Sequence, residues 1–462
     1  MTESKRNIFL EALKDEERDY TKGSINRALV LLAIPMILEM VMESLFAIVD
    51  TFFVSKISTE AAATIGITES LLMIMESVAI GVAMAGTAMV ARRIGEKNPE
   101  GAKKVVANVV TIGTIFSIVL GIFCFIYASD ILIMMGSEEK LVREGSGYTS
   151  IILGFNVILM WLFLFNGIFR GAGNATIAMR TLWLANGLNI ILDPLLIFGL
   201  GFIPALGLEG AAIATCIGRG TGVLYQVYHL FYGKTSIKMT IAEWKLDWGI
   251  IKKIINIASG GAGQFLIATA SWVFLIRIIN HFGSQAVAGY TFAIRVIIFT
   301  ILPSWGLANA VATLVGQNLG AGNPERAEIT VWKAGKYNMY FLLGVSILFF
   351  IIAEWIIGIF SKDPVVLDYG VNALKILCAS YIFFAYQMII GQAFNGAGDT
   401  RTPTIMNFIA CWLIQIPLAY VMAITLDFRV PGVFWAIAIS SAILASMSIY
   451  LFRKGKWKLK VV

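Results

Sequence analysis

Asp193 and Pro194 stand side by side in the apolar stretch NIILDPLLIF. Proline has no N–H, so the carbonyl of Ile190 loses its helical partner. Asn186, Asn189 and Asp193 follow at spacings of 3 and 4, which places them on one face of a helix. A carboxylate, carboxamides and a released carbonyl converging at one point suit a proton site or a small hard cation such as Na⁺. The competing reading is a proline kink with a structurally satisfied aspartate. A second acidic stripe lies in ALVLLAIPMILEMVMESLFAIVDTFF, where Pro35, Glu39, Glu43 and Asp50 are spaced 4, 4 and 7. Three acids on one face of an apolar helix are costly in hydrocarbon and mark an ion pathway or a buried partner. Asp50 reads as ion-coupling. Glu39 and Glu43 admit a structural role, paired with Arg277 or Arg295 from the other end of the chain.

The elements that carry these residues follow from composition. The chain has 462 residues, 58% hydrophobic and 14% charged, with a mean hydropathy of +0.80. A soluble domain carries about a quarter charged residues, so a soluble globule is excluded. Apolar runs of about twenty residues predict spans near 28–55, 61–90, 105–129, 148–170, 176–200, 207–232, 253–280, 286–315, 330–358, 370–395, 402–426 and 432–453. The expected fold is all-α, with twelve transmembrane helices. The tails and even-numbered connections hold 27 Lys and Arg and the odd-numbered connections five. This bias predicts that both termini are cytoplasmic, so the net charge of +7 reports membrane topology rather than nucleic-acid binding.

VARRIGEKNPEGA (90–102) recurs as VGQNLGAGNPERA (315–327), and FRGAGN (169–174) as FNGAGD (394–399), both at an offset of 225. Two matches at one offset indicate duplication. Six spans per repeat give two lobes of the same orientation, related by a pseudo-two-fold axis along the membrane normal. The expected organisation is an N-terminal tail 1–27, an N-lobe 28–232, a linker 233–252, a C-lobe 253–453 and a basic tail 454–462. The halves differ in charge. The first carries Glu39, Glu43, Asp50, Glu69, Glu76 and Asp193 within spans. Positions 50 and 193 map to Leu275 and Leu418, and the second half keeps Glu354 with Arg277, Arg295 and Lys375. The anionic chemistry therefore belongs to the first half.

The chain resembles the multidrug and toxic compound extrusion (MATE) transporters, in particular their DinF-like and archaeal branch. The resemblance covers residues 25–453 and rests on the paired GNPE and GAG signatures, AIVDTFFV, NIILDPLLI and GAAIAT. It implies a V-shaped pair of six-helix lobes exporting organic compounds against inward H⁺ or Na⁺. Matched by motif, the coupling cluster comprises Asp50, Asn189, Asp193 and Thr215, which would also ligate a Na⁺. Tyr148 and Asn166 match polar positions lining the cavity, where Asn186, Glu39 and Glu43 are also expected. Pro35 matches a first-span proline associated with bending, and Pro194 is a second hinge candidate.

The expectation is thus a multi-pass plasma-membrane antiporter for small organic, cationic or amphipathic molecules. It takes H⁺ or Na⁺ as coupling ion, needs no other cofactor and works as a monomer in lipid. Occupancy of one site formed by Asp50 and Asp193 would control the bend at Pro35. No enzyme signature appears: His229 and His281 are far apart and no nucleophile motif is present. The rival is a lipid-linked oligosaccharide flippase, whose cavity would need cations such as Arg277, Arg295 and Lys375.

Overall fold

The computed structural model describes residues 3–16, 18–54, 57–199 and 204–462. Helices account for all twelve expected spans, and no strand occurs among the described residues. In chain order the spans are Ile25–Val54, Thr59–Gly95, Pro99–Ile126, Glu139–Gly171, Ala175–Phe198 and Gly207–Tyr232 in the first half. The second half has Trp248–Asn280, Ser284–Gly320, Pro324–Phe360, Pro364–Gly396, Arg401–Thr425 and Arg429–Arg453. Eleven are long and apolar enough to cross a membrane, counting the bent pair Pro364–Ala379 and Tyr381–Gly396 as one. The sixth, Gly207–Tyr232, is too polar for that measure. It instead buries Gln226 and presents glycines to its neighbour. A Cβ at Gly218 would lie 2.7 Å from the Ala185 carbonyl oxygen, and one at Gly222 3.0 Å from the Ala185 Cβ. Small residues let the backbones of the fifth and sixth spans approach this closely.

Start signals come from the same two sequence repeats. Asn98 and Asn323 each cap the following helix, accepting from the N–H of Gly101 and Arg326, with Pro99 and Pro324 next in line. Asparagine as cap and proline in the first turn satisfy or remove N–H groups that no helical carbonyl can reach. The fourth span breaks at Phe155 and the tenth at Ser380, again 225 apart; the tenth bends by 57°.

Close packing makes the pseudo-symmetry concrete. Gly95 lies against the carbonyl oxygen of Gln317, where a Cβ would come to 2.0 Å. Its counterpart Gly320 lies against the carbonyl oxygen of Arg92, at 2.1 Å. The offset of 225 turns one contact into the other, which is the behaviour of two surfaces meeting across a two-fold axis. Likewise Gly81 meets Ala262 of the seventh span, and Gly306 meets Ile37 of the first.

Both tails lie at the end of the bundle where Gly95 and Gly320 meet. Arg326 donates to the carbonyls of Tyr20, Lys22 and Gly23, and Arg92 to that of Lys460. At this tail end the apolar cores mix the halves. One joins spans two to six with Ile254, Ile257 and Val462, and another joins the N-terminal tail and first span with spans eight to twelve. At the far end each half keeps its own core. Two halves joined at one end and separate at the other make the expected V.

Candidate functional site

A cavity of about 290 Å³ opens between the halves, chiefly on the first. Five charged side chains line it: Glu39 and Glu43 from the first span, Glu76 from the second, Arg170 from the fourth and Arg219 from the sixth. Glu39 is fully buried. Arg170 grips it with two donors, Nε to Oε2 at 3.2 Å and Nη2 to Oε1, and Asn166 donates at 3.4 Å. Gln226 of the sixth span in turn donates to Asn166 at 2.6 Å. A bidentate guanidinium with an added amide is what a carboxylate needs to remain in a dry site, because an unpaired charge there is strongly unfavourable. Glu43, one turn further on, accepts from Asn186 at 3.0 Å and stays half-buried, facing the cavity.

The pairing differs from the one expected. Glu39 meets Arg170 of its own half, not Arg277 or Arg295. Both of those arginines are exposed, and neither lines this cavity or that of the second half. Lys375 lies 4.0 Å from the exposed Glu354 and against the ring of Phe350. Arg170, the last residue of the expected fourth span, is a site residue that the sequence pattern did not single out. The signal available was the mismatch between FRGAG and FNGAG at a position otherwise repeated.

A second cavity of about 400 Å³ lies in the second half, sharing Met84, Phe265, Leu302, Trp305, Gln392 and Asn395 with the first. The Phe265 and Trp305 rings, 5.7 Å apart, form the common wall. Among the described residues, no charged side chain lines this second cavity. At the places equivalent to Glu39 and Arg170 stand Gln264 and Asn395, joined amide to amide at 3.0 and 3.3 Å.

Of the coupling residues predicted from sequence, Asn189, Asp193 and Thr215 do not line either cavity. Asp193 is fully buried. Asn189 donates to Thr215 of the sixth span at 3.2 Å. The second half repeats that neutral contact as Ser440 to Gln415, at 2.8 Å. Gln415 is one residue beyond the strict offset, and it ends the π-helical stretch Phe408–Gln415, whose wider turns shift the register. Asp50 lies in the last turn and a half of the first span, and its side chain is outside the described residues.

Two expected cavity residues are elsewhere. Tyr148 is buried in the far-end cluster with Ile65, Ile197 and Leu208. Tyr148 lies about five helical turns before Asn166 along the fourth span, which carries it past the cavity to the far end. Asn186 lies behind Glu43 rather than on the wall, whereas Asn166 does line the cavity. Pro35 and Pro194 fall inside single continuous helices, Ile25–Val54 and Ala175–Phe198.

Comparison with known proteins gives a consistent result. The MatE family profile matches residues 35–195 and 262–421, one segment in each half. A probable multidrug resistance protein NorM of Thermotoga maritima is 26% identical over 458 residues, covering 99% of this chain and 97% of its own. An FAD transporter of Shewanella oneidensis is 26% identical over 437 residues, covering 93% and 95%. Among solved structures, an outward-facing multidrug resistance MATE transporter of the MOP superfamily superposes with a TM-score of 0.89. It is 26% identical, over 95% of this chain and 98% of that one.

Proposed function

Since the chain belongs to the MatE family of multi-pass membrane transporters, we propose that it is an antiporter exporting organic cations in exchange for H⁺ or Na⁺. The observation that carries the cation reading is the charge of the first cavity. Glu39 is matched by Arg170, and Glu43 and Glu76 outnumber the remaining cation, Arg219, beside the aromatic wall of Phe265 and Trp305. Carboxylates next to π-faces attract a charged, partly apolar guest. The 27-to-5 distribution of Lys and Arg supports tails and joined end in the cytoplasm, so the V would open outward.

Coupling is assigned to Asp193 with Asn189, Thr215 and Asp50. Oxygen donors from a carboxylate, a carboxamide and a hydroxyl accept either a proton or Na⁺. Loading that cluster would draw the first and fifth spans together, with Pro35 as the weak point of the first. The gain is a differential affinity of the two conformations for the ion, without which no coupling exists.

The likeness to an FAD transporter raises an anionic substrate. Glu43 and Glu76 would repel its phosphates, and they outnumber Arg219, the cavity cation that Glu39 does not engage. A pyrophosphate-linked lipid meets the same objection, and neither Arg277 nor Arg295 lines the cavity.

Dye retention in an efflux-deficient bacterial host tests the export reading. Cells making the protein should hold less ethidium than cells with empty vector, and Glu43→Gln/Glu76→Gln should hold as much as empty vector. Equal retention with and without the wild-type protein would refute it.

A further inference from the structure

Arg219 lies in the cavity wall but takes no part in the Glu39–Arg170 pair or the Asn189–Thr215 contact. It follows Thr215 by one turn, so the sixth span presents both on one face. Gly218, pressed against the fifth span, fixes where the arginine emerges. Its guanidinium carbon stands 5.9 Å from the centre of the Phe46 ring. Phe46 lies three residues beyond Glu43 on the first span and therefore on the same face. Glu43, Glu76 and Arg219 line the same cavity. The equivalent place in the second half is Leu444, in the wall of the uncharged cavity. The guanidinium thus belongs to the acidic half alone.

We propose that Arg219 is a tethered cation that competes with substrate: without substrate it offsets part of the charge of Glu43 and Glu76 and rests on Phe46, and an arriving organic cation takes over those partners. The inference rests on the reading that this cavity receives organic cations. Its physical basis is that the groups around Arg219, the carboxylates sharing its cavity wall and the aromatic face it rests on, are the groups that recognise such a guest. Between cycles the tethered charge spares the half-buried acids the cost of standing unpaired. It also sets a charge limit. With Glu39 matched by Arg170, Glu43 and Glu76 face Arg219, which leaves a single negative charge for the visitor. Arg219 therefore determines specificity, favouring monocations over dications.

Equilibrium fluorescence titration of the purified full-length protein in detergent, with no ion gradient, tests this apart from transport. The probes are ethidium, a monocation, propidium, a dication on the same ring system, and Nile red, which is uncharged. Arg219→Gln should lower the ethidium Kd about tenfold, as expected when one elementary charge is removed at roughly 6–8 Å in a partly dry site. The propidium Kd should fall further, the Nile red Kd should not move, and Arg219→Lys should bind all three like wild type. An ethidium Kd that is unchanged or raised in Arg219→Gln overturns the proposal. Equal tightening of Nile red also overturns it, since that would report packing rather than charge. Should Arg219→Gln fail to fold, Arg219→Met, of similar length, carries the same expectations. If wild type binds Nile red but neither cation, the cation reading of the cavity fails; if it binds the cations and the variants leave Kd unchanged, only the role of Arg219 does.

Discussion

Glu39 and Gln264 occupy equivalent places in the two halves, 225 residues apart, and each reaches across to the equivalent place on the fourth or tenth span. In the first half that gives the ion pair Glu39–Arg170, in the second the neutral pair Gln264–Asn395. One backbone frame thus holds both a charged and an uncharged version of the same contact, and the charged one borders the acidic cavity.

This relationship predicts a specific non-additivity. Arg170→Asn alone leaves a fully buried carboxylate without its cation and should cost about 3–5 kcal/mol. Adding Glu39→Gln rebuilds the amide pair already present in the second half and should recover most of the loss. Thermal unfolding of the single and double variants in detergent measures both. A double variant no more stable than Arg170→Asn would contradict this.

The charge asymmetry predicts unequal sensitivity to neutralisation. Asp193→Asn should abolish ion-driven export at normal expression. Glu354→Gln should leave it within about twofold, because Glu354 is 78% exposed and its pair with Lys375 spans 4.0 Å, a surface contact of small value. Initial rates of dye export, normalised to the amount of protein, compare the two.

Gly95 and Gly320 predict paired effects at the joined end. An added Cβ at either would lie about 2 Å from a backbone oxygen, which no side-chain adjustment relieves. Gly95→Ala and Gly320→Ala should each loosen the contact between the second and eighth spans. Accessibility of a cysteine placed at Ala91, which packs on Gly316, should rise in both. Unchanged labelling would mean that the seam tolerates the methyl group.

The segment between the halves carries a pH-dependent anchor. Glu243 accepts from Lys103 at 2.8 Å and from the Thr240 backbone and hydroxyl. The Lys103 bond, then those from Thr240, hold its carboxyl down at about 2 against an ordinary 4.5. A depressed folded value stabilises above the unfolded value and is lost as pH falls from about 4.5 toward 2. Acid-stable protease digestion should therefore cut this segment increasingly over that window, whereas Glu243→Gln should be cut at neutral pH as well.

Much of the frame was legible because it is periodic. The twelve apolar runs, the doubled GNPE and GAG signatures and the loss of acids from the second half are all readable in one dimension. What escaped depends on contacts between distant segments. Arg170 lies 131 residues from Glu39, and only the packing of the fourth span on the first brings them together. Tyr148 and Asn166 share a sequence span but not a depth: about five helical turns apart, one packs in the far-end core and the other reaches the cavity. The one-residue shift that aligns Gln415 with Asn189 comes from a π-helical stretch that the hydrophobic pattern does not reveal.

The central claim is that an ion bound at the Asp193 cluster drives movement of a cation held in the neighbouring cavity. Transport of ethidium by proteoliposomes under separately imposed H⁺ and Na⁺ gradients tests it most directly, with wild type and Asp193→Asn compared. The account predicts that at least one gradient drives wild-type transport. Asp193→Asn should lose that response while its equilibrium ethidium Kd stays within about twofold. Full gradient-driven transport by Asp193→Asn, or a wild-type protein that responds to neither gradient, would contradict it.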